Sequence, residues 1–320
     1  MLYLKNTPID QIVPLKEIIE AVEDTLKEIA LGRGFELPRR RIHHPNGMIF
    51  GILPGSVHGA MGAYIQTDLD RRIHHENVMI FSVESGEPLA LFQDCSINEY
   101  RTGAAGAVGA KYLARQDASR VAVFGSAAHA EMQLKAAAVV RNLTEALVFS
   151  PTPARRAAFA EKMARELQIS VRAVESADEA LAHADMIITA TNSRVPVFNG
   201  ATLRDGVHIT SIANGDQTRT RQELDESVLR RANPIFVTSK ETVCVNESDI
   251  FRAVRDKVIG WEKVHEISRL LLGKVPGRTD ERQVTLFKLQ GTGIMDVAVA
   301  LKAYQRLKDS SLGSSFEPAG

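Results

Sequence analysis

The sequence predicts an α/β fold built on a doubly wound parallel sheet, and three observations predict it. Between residues 120 and 238, short apolar runs alternate with stretches of helical composition. Small or turn-forming residues end these runs. One run stops at Gly125 and is followed directly by the start of a helix. Parallel strands are buried on both faces and therefore read as continuous apolar runs, which is the pattern seen here.

The turn at Gly125 is the first candidate ligand site. The run 120–124 leads into Gly125-x-Ala127-x-x-Ala130, a dinucleotide fingerprint in which alanine replaces the second and third glycines. Backbone N–H groups at a helix N-terminus can hold a pyrophosphate, whereas a Cβ at the second position restricts its approach. Alone, the motif fits either a dinucleotide site or an ordinary βα turn. Its candidate cofactor-binding residues are Gly125, Ser126, Ala127, Ala128, His129 and Ala130.

The rest of the middle region favours the dinucleotide site. Further strands are predicted at residues 145–149, 169–174, 185–191, 207–212 and 234–238, with helices at 154–167 and 177–184. Ligands of such sheets lie outside the carboxyl ends of the strands. The candidate cofactor-binding residues at these ends are Ser150, Thr191, Asn192, Ser193, Ile212 and Asn214. The order of elements therefore predicts a Rossmann-type domain.

The end of the second strand bears on the choice between NAD(H) and NADP(H). An NAD site usually places Asp or Glu there for the ribose 2′-hydroxyl, and residues 149–156 contain no carboxylate. The hydroxyls of Ser150 and Thr152, with Arg155 or Arg156 one turn later, suit a 2′-phosphate. The same residues also fit a helix N-cap before Pro153 with solvent-facing arginines. The sequence favours NADP(H) and leaves NAD(H) open.

The flanking regions predict a mixed α+β part. It has an amphipathic helix at residues 15–30, strand-like segments at 48–53, 62–66, 77–82 and 88–92, and a glycine-rich helix at 101–114. So many glycines weaken a helix, so we expect its surface to pack closely against another backbone or its start to approach a ligand. Arg101 falls in the first predicted turn, where the macrodipole disfavours a cation. A bound anion is the favoured explanation, and a salt bridge to Asp94 or Glu99 is the alternative.

Composition excludes several functional classes. The 320 residues include 39 Lys and Arg against 39 Asp and Glu, so no net field favours nucleic acid or an anionic membrane. The cluster Arg39–Arg41 suits a small anionic substrate or a solvated loop. No apolar run approaches the roughly 20 residues that cross a bilayer, and no signal-peptide layout is present, so we expect a cytoplasmic protein. Cys95 and Cys244 are isolated, so no metal site is expected.

Several motifs then occur in one order along nearly the whole chain. They are Arg101-Thr-Gly-Ala-Ala-Gly-Ala, the Gly125 turn, Ala190-Thr-Asn-Ser-Arg-Val-Pro196, the segment 215–225, and Phe287-x-x-x-Gly-x-Gly-x-x-Asp296-x-x-x-Ala300. In these motifs the sequence resembles the ornithine cyclodeaminase/μ-crystallin family. The resemblance implies an α+β substrate-binding and dimerisation domain at residues 1–117 and 296–320 and a Rossmann domain at 118–295. It also implies an NAD(P)H cofactor, a homodimer and a small-molecule amino-acid or imino-acid substrate.

The resemblance also implies roles for individual residues. Arg101 matches an arginine that binds the substrate carboxylate, and Arg40, in Pro38-x-Arg40, matches a second one. A guanidinium fork fits a carboxylate bidentately, so both roles make chemical sense. Thr102, next to Arg101, is a further candidate for cofactor binding, and residues 191–193 match the loop on the nicotinamide side.

Two departures from the family pattern limit what is implied. Tyr64 stands where cyclodeaminases and alanine dehydrogenases of the family place a lysine, and no lysine occurs between Lys27 and Lys111. The nearest match to the cyclodeaminase aspartate is Asp216, with a spacing to Glu223 that is one residue too long. The candidate catalytic residues that handle the proton are therefore Tyr64, Asp216 and His58. His58 is six residues before Tyr64, which fits one strand face, but the intervening glycines fit a turn equally well.

The predicted activity is NAD(P)H-dependent reduction of an imine of a 2-oxo acid to an L-amino acid, with amino-acid dehydrogenation as the reverse. The surplus cations Arg39, Arg41, His43 and His44 would also suit a second carboxylate, as in iminosuccinate. Two alternatives stay open. One is an ornithine cyclodeaminase-type lyase that forms proline and ammonia, and the other is a crystallin-like binding protein without turnover.

Overall fold

The computed structural model describes residues 1–69, 73–215, 220–246, 248–308 and 314–315. The chain forms two compact units, Met1–Arg101 with Gly291–Gly320, and Thr102–Gln290. The sequence placed the boundaries later, between residues 117 and 118 and between 295 and 296. The difference arises because most of the glycine-rich helix packs within the second unit. The α/β class and the parallel sheet are as predicted.

The first unit contains an amphipathic helix and a mostly antiparallel sheet, whose first strand pairs in parallel with Pro88–Gln93. Its strands are β1 (Leu2–Lys5), β2 (Phe35–Glu36), β3 (Arg40–His43), β4 (Ile49–Val57), β5 (Ala60–Leu69), β6 (Ile73–Ser82) and β7 (Pro88–Gln93). Helix α1 (Leu15–Ala30) has the predicted bounds and buries Ile18, Val22 and Leu26 on one face. Helix α2 (Ile97–Leu113) begins four residues before the predicted start, so Arg101 lies beyond its first turn.

The second unit is a doubly wound α/β domain. Its strands are β8 (Arg120–Phe124), β9 (Glu145–Phe149), β10 (Ser170–Ala173), β11 (Met186–Thr189), β12 (His208–Ser211), β13 (Ile235–Val237), β14 (Val264–Glu266) and β15 (Thr285–Lys288). Its helices are α3 (Ala128–Val140), α4 (Pro153–Leu167), α5 (Ala177–Leu181), α6 (Glu226–Arg231), α7 (Lys240–Val245), α8 (Asp249–Arg255) and α9 (Ile267–Leu271).

All eight strands of the second sheet pair in parallel, in the order β10-β9-β8-β11-β12-β15-β13-β14. The order reverses between β8 and β11, and a crevice opens at the carboxyl ends of strands at such a switch point. The six predicted strands are all present, four of them shortened, to Ser170–Ala173, Met186–Thr189, His208–Ser211 and Ile235–Val237. The sheet therefore places Gly125, at the end of β8, beside Ala190, which follows β11.

The chain then returns to the first unit with helix α10 (Gly293–Leu307) and strand β16 (Ser314–Ser315). Helix α10 packs against β4 to β7 and against α1. A Cβ at Gly55 would come within 2.4 Å of the Ile294 backbone, and one at Gly293 within 2.1 Å of the Leu53 carbonyl oxygen. Glycine at both positions therefore lets the helix start touch β4 backbone to backbone, which fixes the position of Asp296 one turn later.

The glycines of α2 also have a packing role, as predicted. A Cβ at Gly103 would lie 2.7 Å from the Met132 carbonyl oxygen, and one at Gly106 would lie 1.9 Å from Oε1 of Gln133. The Gln133 amide donates a 2.7 Å hydrogen bond to the Thr102 carbonyl. Helices α2 and α3 thus approach closely because side chains are missing between them. Within the described residues, no helix has the length and apolarity that crossing a membrane requires.

Candidate active site

The β8–α3 turn of the second unit has the features of a pyrophosphate cradle. Gly125 has φ +113°, and a Cβ there would lie 2.4 Å from the carbonyl oxygen of Ala190. Only glycine fits this position. Ala127 and Ala128 are exposed at the start of α3, Ala127 is extended, and no side chain caps the helix. Ala127, the N-cap residue, makes no side-chain hydrogen bond to the first turn, and the turn fits a dinucleotide despite its alanines.

The loops after β11 and β12 are fixed by one carboxylate that sequence reasoning missed. Glu223 is fully buried. Its Oε1 accepts hydrogen bonds from the N–H (2.7 Å) and hydroxyl (2.9 Å) of Thr191. Its Oε2 accepts from the hydroxyls of Thr189 and Ser211, both 2.8 Å, and from the Ala213 N–H at 3.0 Å. Glu223 thus ties together the carboxyl ends of two neighbouring strands.

A buried ammonium group completes this network. Lys288, the last residue of β15, donates to Ser211 Oγ at 2.9 Å and to Asp249 Oδ2 at 3.0 Å, and its Nζ lies 3.8 Å from Glu223. All three ionic side chains are almost completely buried, so each charge depends on the others and on the hydroxyls between them. The one signal in the sequence was that Glu223 and Lys288 lie in segments that the family shares.

The remaining cofactor candidates lie along the same edge of the sheet. Asn214 donates from Nδ2 to the carbonyls of Ile212 and Leu289, and its buried Oδ1 has no partner. Asn192 is exposed, and Ser193 donates to the Val195 carbonyl. His129 lies in the first turn of α3. Thr102 is buried in the interior of α2, where it presents its carbonyl to Gln133 rather than a hydroxyl to solvent.

The end of β9 separates the two predicted arginines. Arg156 is buried, donates to the Ser150 carbonyl at 3.0 Å and pairs with Glu175. Arg155 is exposed and belongs to the first turn of α4. Thr152 is the N-cap residue of α4, but its side chain makes no capping hydrogen bond, and Ser150 Oγ lies 2.9 Å from Ser126 Oγ. Arg155 is therefore the exposed cation at this strand end.

In the first unit, a buried ion pair joins α2 to α10. Arg101 Nε donates to Asp296 Oδ1 at 2.9 Å, and the two side chains are 1% and 0% exposed. A Cβ at residue 291 would come within 2.9 Å of both Nη atoms of Arg101, so Gly291 makes room for the guanidinium. The partner of Arg101 is thus Asp296 and neither Asp94 nor Glu99. The second oxygen of Asp296 is buried and has no hydrogen-bond partner.

Tyr64 of β5 lies on the sheet face against which α10 packs, and it is hydrogen-bonded to a carboxylate. It is buried, and its hydroxyl donates to Glu76 Oε1 at 2.7 Å. His74 Nε2 lies 3.0 Å from the same oxygen, and this hydrogen bond raises the pKa of His74. Burial and then the charge of Glu76 raise the pKa of Tyr64 well above its usual value near 10. Tyr64 therefore remains a neutral phenol and orients Glu76 instead of giving up its proton.

The structure does not bring Arg40 to this cluster. In β3, Arg40 pairs with Ile52 and is exposed, whereas Arg41 pairs with Gly51 on the face that carries Tyr64. Arg39 is two residues before Arg41, and in an extended segment residues two apart lie on the same face. Its Nε is buried without a partner, and it interacts electrostatically with Tyr64, Arg101 and Asp296. Burial, with Arg41 nearby, lowers the pKa of Arg39 to about 10. The arginine beside Arg101 is therefore Arg39.

Two carboxyl groups of the cluster titrate near neutrality. Burial raises the pKa of Asp296 to about 6, against the opposing charge of Arg101. Burial, followed by the charge of Glu76, raises the pKa of Glu99 to about 7. Like Asp296, Glu99 has a buried carboxylate oxygen without a partner. The cluster thus combines two guanidiniums with acids that can exchange a proton at physiological pH.

Two predicted catalytic residues are not part of this cluster. His58 lies in the β4–β5 turn with φ +53° and is exposed, so the turn interpretation of its neighbouring glycines is the one observed. Asp216 lies outside the described residues. Among the described residues, no group of histidines, cysteines and carboxylates is arranged to hold a metal ion. Sequence reasoning named Arg39 only as one of several cations and Glu99 only as an alternative partner of Arg101, and it missed Glu76, because their importance depends on contacts across strands and helices.

We predict that Gly125→Ala weakens both folding and dinucleotide binding. The Cβ would collide with the Ala190 carbonyl, and overpacking of this kind costs about 1–3 kcal/mol. Urea unfolding and NADH fluorescence titration measure the two effects. Gly273→Ala is the matched control, because Gly273 also has positive φ (+67°) but open space around it. Unchanged NADH affinity in Gly125→Ala would contradict the cradle.

Comparisons with known proteins agree with a dinucleotide-binding turn at Gly125. The model of the ornithine cyclodeaminase/mu-crystallin family matches residues 3–311. A Delta(1)-pyrroline-2-carboxylate reductase from Bacillus cereus is 27% identical over 327 residues, covering 99% of this chain and 100% of that protein. The structure of the Thermococcus litoralis Delta(1)-pyrroline-2-carboxylate reductase with NADH and L-proline is 31% identical, with a TM-score of 0.92 over 98% of this chain and 100% of that one. An archaeal alanine dehydrogenase dimer with bound NAD is 29% identical, with a TM-score of 0.91 and 98% of both chains covered. The chain belongs to the ornithine cyclodeaminase/mu-crystallin family.

Proposed function

We propose that this protein is an NAD(P)H-dependent oxidoreductase that reduces imines of 2-oxo acids to L-amino acids and catalyses the reverse dehydrogenation. One observation carries the proposal: Arg101 is buried beside Arg39 in a cluster that also contains acids titrating near neutrality. Two guanidiniums suit a substrate carboxylate, and a nearby acid suits the imine nitrogen. The relatives that bind NADH with L-proline, or that reduce a pyrroline carboxylate, support the same substrate class.

The tasks of the chain's own residues are given for each unit by itself. When bound, the reduced nicotinamide supplies a hydride to the imine carbon. The Gly125 turn holds the pyrophosphate, and Glu223 keeps the loops after β11 and β12 in place. Arg101 and Arg39 hold the substrate carboxylate, and the burial of the cluster excludes water. An acid of the cluster protonates the nitrogen.

Tyr64 argues against a cyclodeaminase. Addition of a side-chain amine and loss of ammonia require groups that accept and return protons repeatedly. Tyr64 has a raised pKa and is hydrogen-bonded to Glu76, so it cannot take over that work from a lysine. Ornithine converted to proline with stoichiometric ammonia would establish the lyase instead. Ligand binding without oxidation of NADH or NADPH would establish the crystallin-like alternative.

The charge distribution favours a substrate with one carboxylate. Of the surplus cations, His43 and His44 are exposed, Arg39 belongs to the Arg101 cluster, and Arg41 lies on the strand face that carries Tyr64. Arg39 and Arg101 together match a single carboxylate next to the C=N bond. We therefore favour a monocarboxylic imine such as Δ1-pyrroline-2-carboxylate over iminosuccinate, whose second carboxylate has only Arg41 on the same strand face.

Imine reduction is tested by following NADH and NADPH oxidation with Δ1-pyrroline-2-carboxylate, iminosuccinate, and pyruvate with ammonia. We expect Arg101→Lys to lower kcat/KM about 10- to 100-fold, because a hydrogen bond to a charged group contributes about 1.5–3 kcal/mol and lysine cannot bind both Asp296 and a carboxylate. Arg33→Lys, at an exposed pair with Glu28, is the control. An unchanged KM in Arg101→Lys would remove the carboxylate assignment.

For the cofactor, we propose that the enzyme accepts both nucleotides and prefers NADPH through Arg155, Thr152 and Ser150. Arg155 is exposed at the end of β9, and no carboxylate stands between residues 149 and 156. We expect Arg155→Ala to raise KM for NADPH about tenfold and KM for NADH less than twofold, since only NADPH loses a 2′-phosphate contact worth about 1.4 kcal/mol or more. Arg165→Ala, exposed near the other end of α4, is the control. Equal losses for both nucleotides would contradict the preference.

We further propose a homodimer formed through the face of the first sheet opposite α10. Strand parity puts Ile42 (67% exposed), Phe50 (38%) and Met61 (39%) on this face, which is more apolar surface than scattered exposure explains. The dimeric state of the archaeal alanine dehydrogenase supports this. Size-exclusion chromatography with light scattering should give twice the mass of 35.1 kDa, falling to one chain in Ile42→Glu but not in Val139→Glu. A monomeric wild type would refute it.

A further inference from the structure

Glu99 is a half-buried acid to which the proposed function gives no residue-specific role. It lies in the first turn of α2, two residues before Arg101, and its Oε2 is shielded from solvent without a hydrogen-bond partner. The charged and titratable groups that face it are Glu76 and His74 of β6 and Arg101 of its own helix. An orphaned oxygen among paired neighbours marks the place where a polar ligand atom is missing.

The other acids and the phenol of the cluster are already occupied. Glu76 accepts hydrogen bonds from Tyr64 and lies within hydrogen-bond distance of His74. Asp296 also has an unpartnered oxygen, Oδ2, but its Oδ1 is ion-paired with Arg101, so protonation of Asp296 would leave that buried guanidinium without its counter-charge. Tyr64 holds its proton too tightly to donate it. Glu99 is thus the group in this cluster whose proton is not committed to a neighbour.

We propose that Glu99 is the catalytic acid that protonates the imine nitrogen during reduction and the base that takes this proton back during amino-acid oxidation. The proposal rests on the imine-reductase function above and adds the identity of its acid. The Glu99 carboxyl lies in the first turn of α2, has an unpartnered buried oxygen, and interacts electrostatically with Arg101, the proposed carboxylate-binding residue.

The step balances as a proton-coupled hydride transfer. The O–H bond of Glu99 breaks and an N–H bond forms, while the reduced nicotinamide dinucleotide gives its hydride to the imine carbon and is oxidised. The π electrons of C=N become the nitrogen lone pair, which takes a second proton from solvent to give the ammonium form of the amino acid. Glu99 regains its proton from solvent, and His74, which is partly exposed, lies on that side of the cluster.

The surroundings of Glu99 suit both imine reduction and the reverse oxidation of the amino acid. Burial and the charge of Glu76 hold its pKa at about 7, so protonated and ionised forms coexist at neutral pH. Reduction needs the protonated form and should decline as the pH rises through this pKa. Oxidation needs the carboxylate and should rise over the same interval. A bound substrate carboxylate adds negative charge and moves both transitions to higher pH.

The test is Glu99→Gln in the full-length protein, with Δ1-pyrroline-2-carboxylate and NADPH in one direction and L-proline with NADP⁺ in the other. We expect kcat to fall at least 100-fold in both directions, the usual contribution of a positioned acid. NADPH affinity and the inhibition constant of L-proline should stay within threefold, and the pH transition near 7 should disappear. A transition that belongs to the imine itself would persist in the variant.

Controls separate this role from folding and from the proposed function. Glu20→Gln, exposed on α1, should match wild type throughout. Glu99→Asp keeps the carboxyl and should retain a pH transition with a partly restored kcat. This variant tests the assignment even if Glu99→Gln fails to fold. Retention of kcat within threefold, or of the transition, in Glu99→Gln would overturn the assignment. Wild type that oxidises no nucleotide with any imine would refute the function itself and not the choice of acid.

Discussion

The buried ion pair between Arg101 and Asp296 is the interaction on which the first unit depends. It joins residues 195 positions apart, so the end of the chain returns to complete a unit that its beginning starts. Both charges are almost fully removed from water, and deletion of one partner of such a pair costs about 3–5 kcal/mol because the other remains buried alone. The ion pair depends on glycine at three positions. A Cβ at Gly55 or Gly293 would hold α10 away from β4, and a Cβ at Gly291 would collide with the guanidinium of Arg101. The ion pair therefore gives the substrate cluster its rigidity.

In the second unit, a buried carboxylate, Glu223, holds the loops at the ends of the parallel strands in place. Parallel strands end in loops whose N–H groups lack partners within the sheet, and these loops must still present a fixed surface to a cofactor. Glu223 satisfies two such N–H groups, those of Thr191 and Ala213, and Lys288 compensates its charge. A fully satisfied buried network of this kind holds one conformation, whereas a half-satisfied one would destabilise the domain. The parallel sheet thus supplies the position of the cofactor loops, and Glu223 supplies their precision.

Features that depend on local pattern could be predicted from the sequence, and those that depend on register could not. The parallel sheet, helix α1 and the Gly125 turn follow from periodicity and from glycine chemistry, and the structure agrees. The sequence predicted Arg40 rather than Arg39 because the prediction followed the spacing of the Pro38-x-Arg40 motif. In a strand, however, a shift of one residue moves the side chain to the opposite face. The start of α2 was missed because its first turn, residues 97–100, carries no glycine pattern. Glu76, Glu99 and Glu223 gain their meaning from long-range contacts that no local pattern encodes.

Tyr64, which stands where the family pattern has a lysine, affects the charges of the cluster through its hydrogen bond to Glu76. A lysine at this position would bring a positive charge and an exchangeable proton into the cluster. Tyrosine brings neither, and its hydroxyl instead binds Glu76, whose charge is then retained inside the cluster beside His74. That retained charge is what raises the pKa of Glu99, after burial, into the neutral range. With no lysine at residue 64, burial and the charge of Glu76 outweigh His74 and Arg101 and raise the pKa of Glu99. The proposed imine reduction requires a single protonation coupled to hydride transfer, and a neutral acid of this kind suits that step.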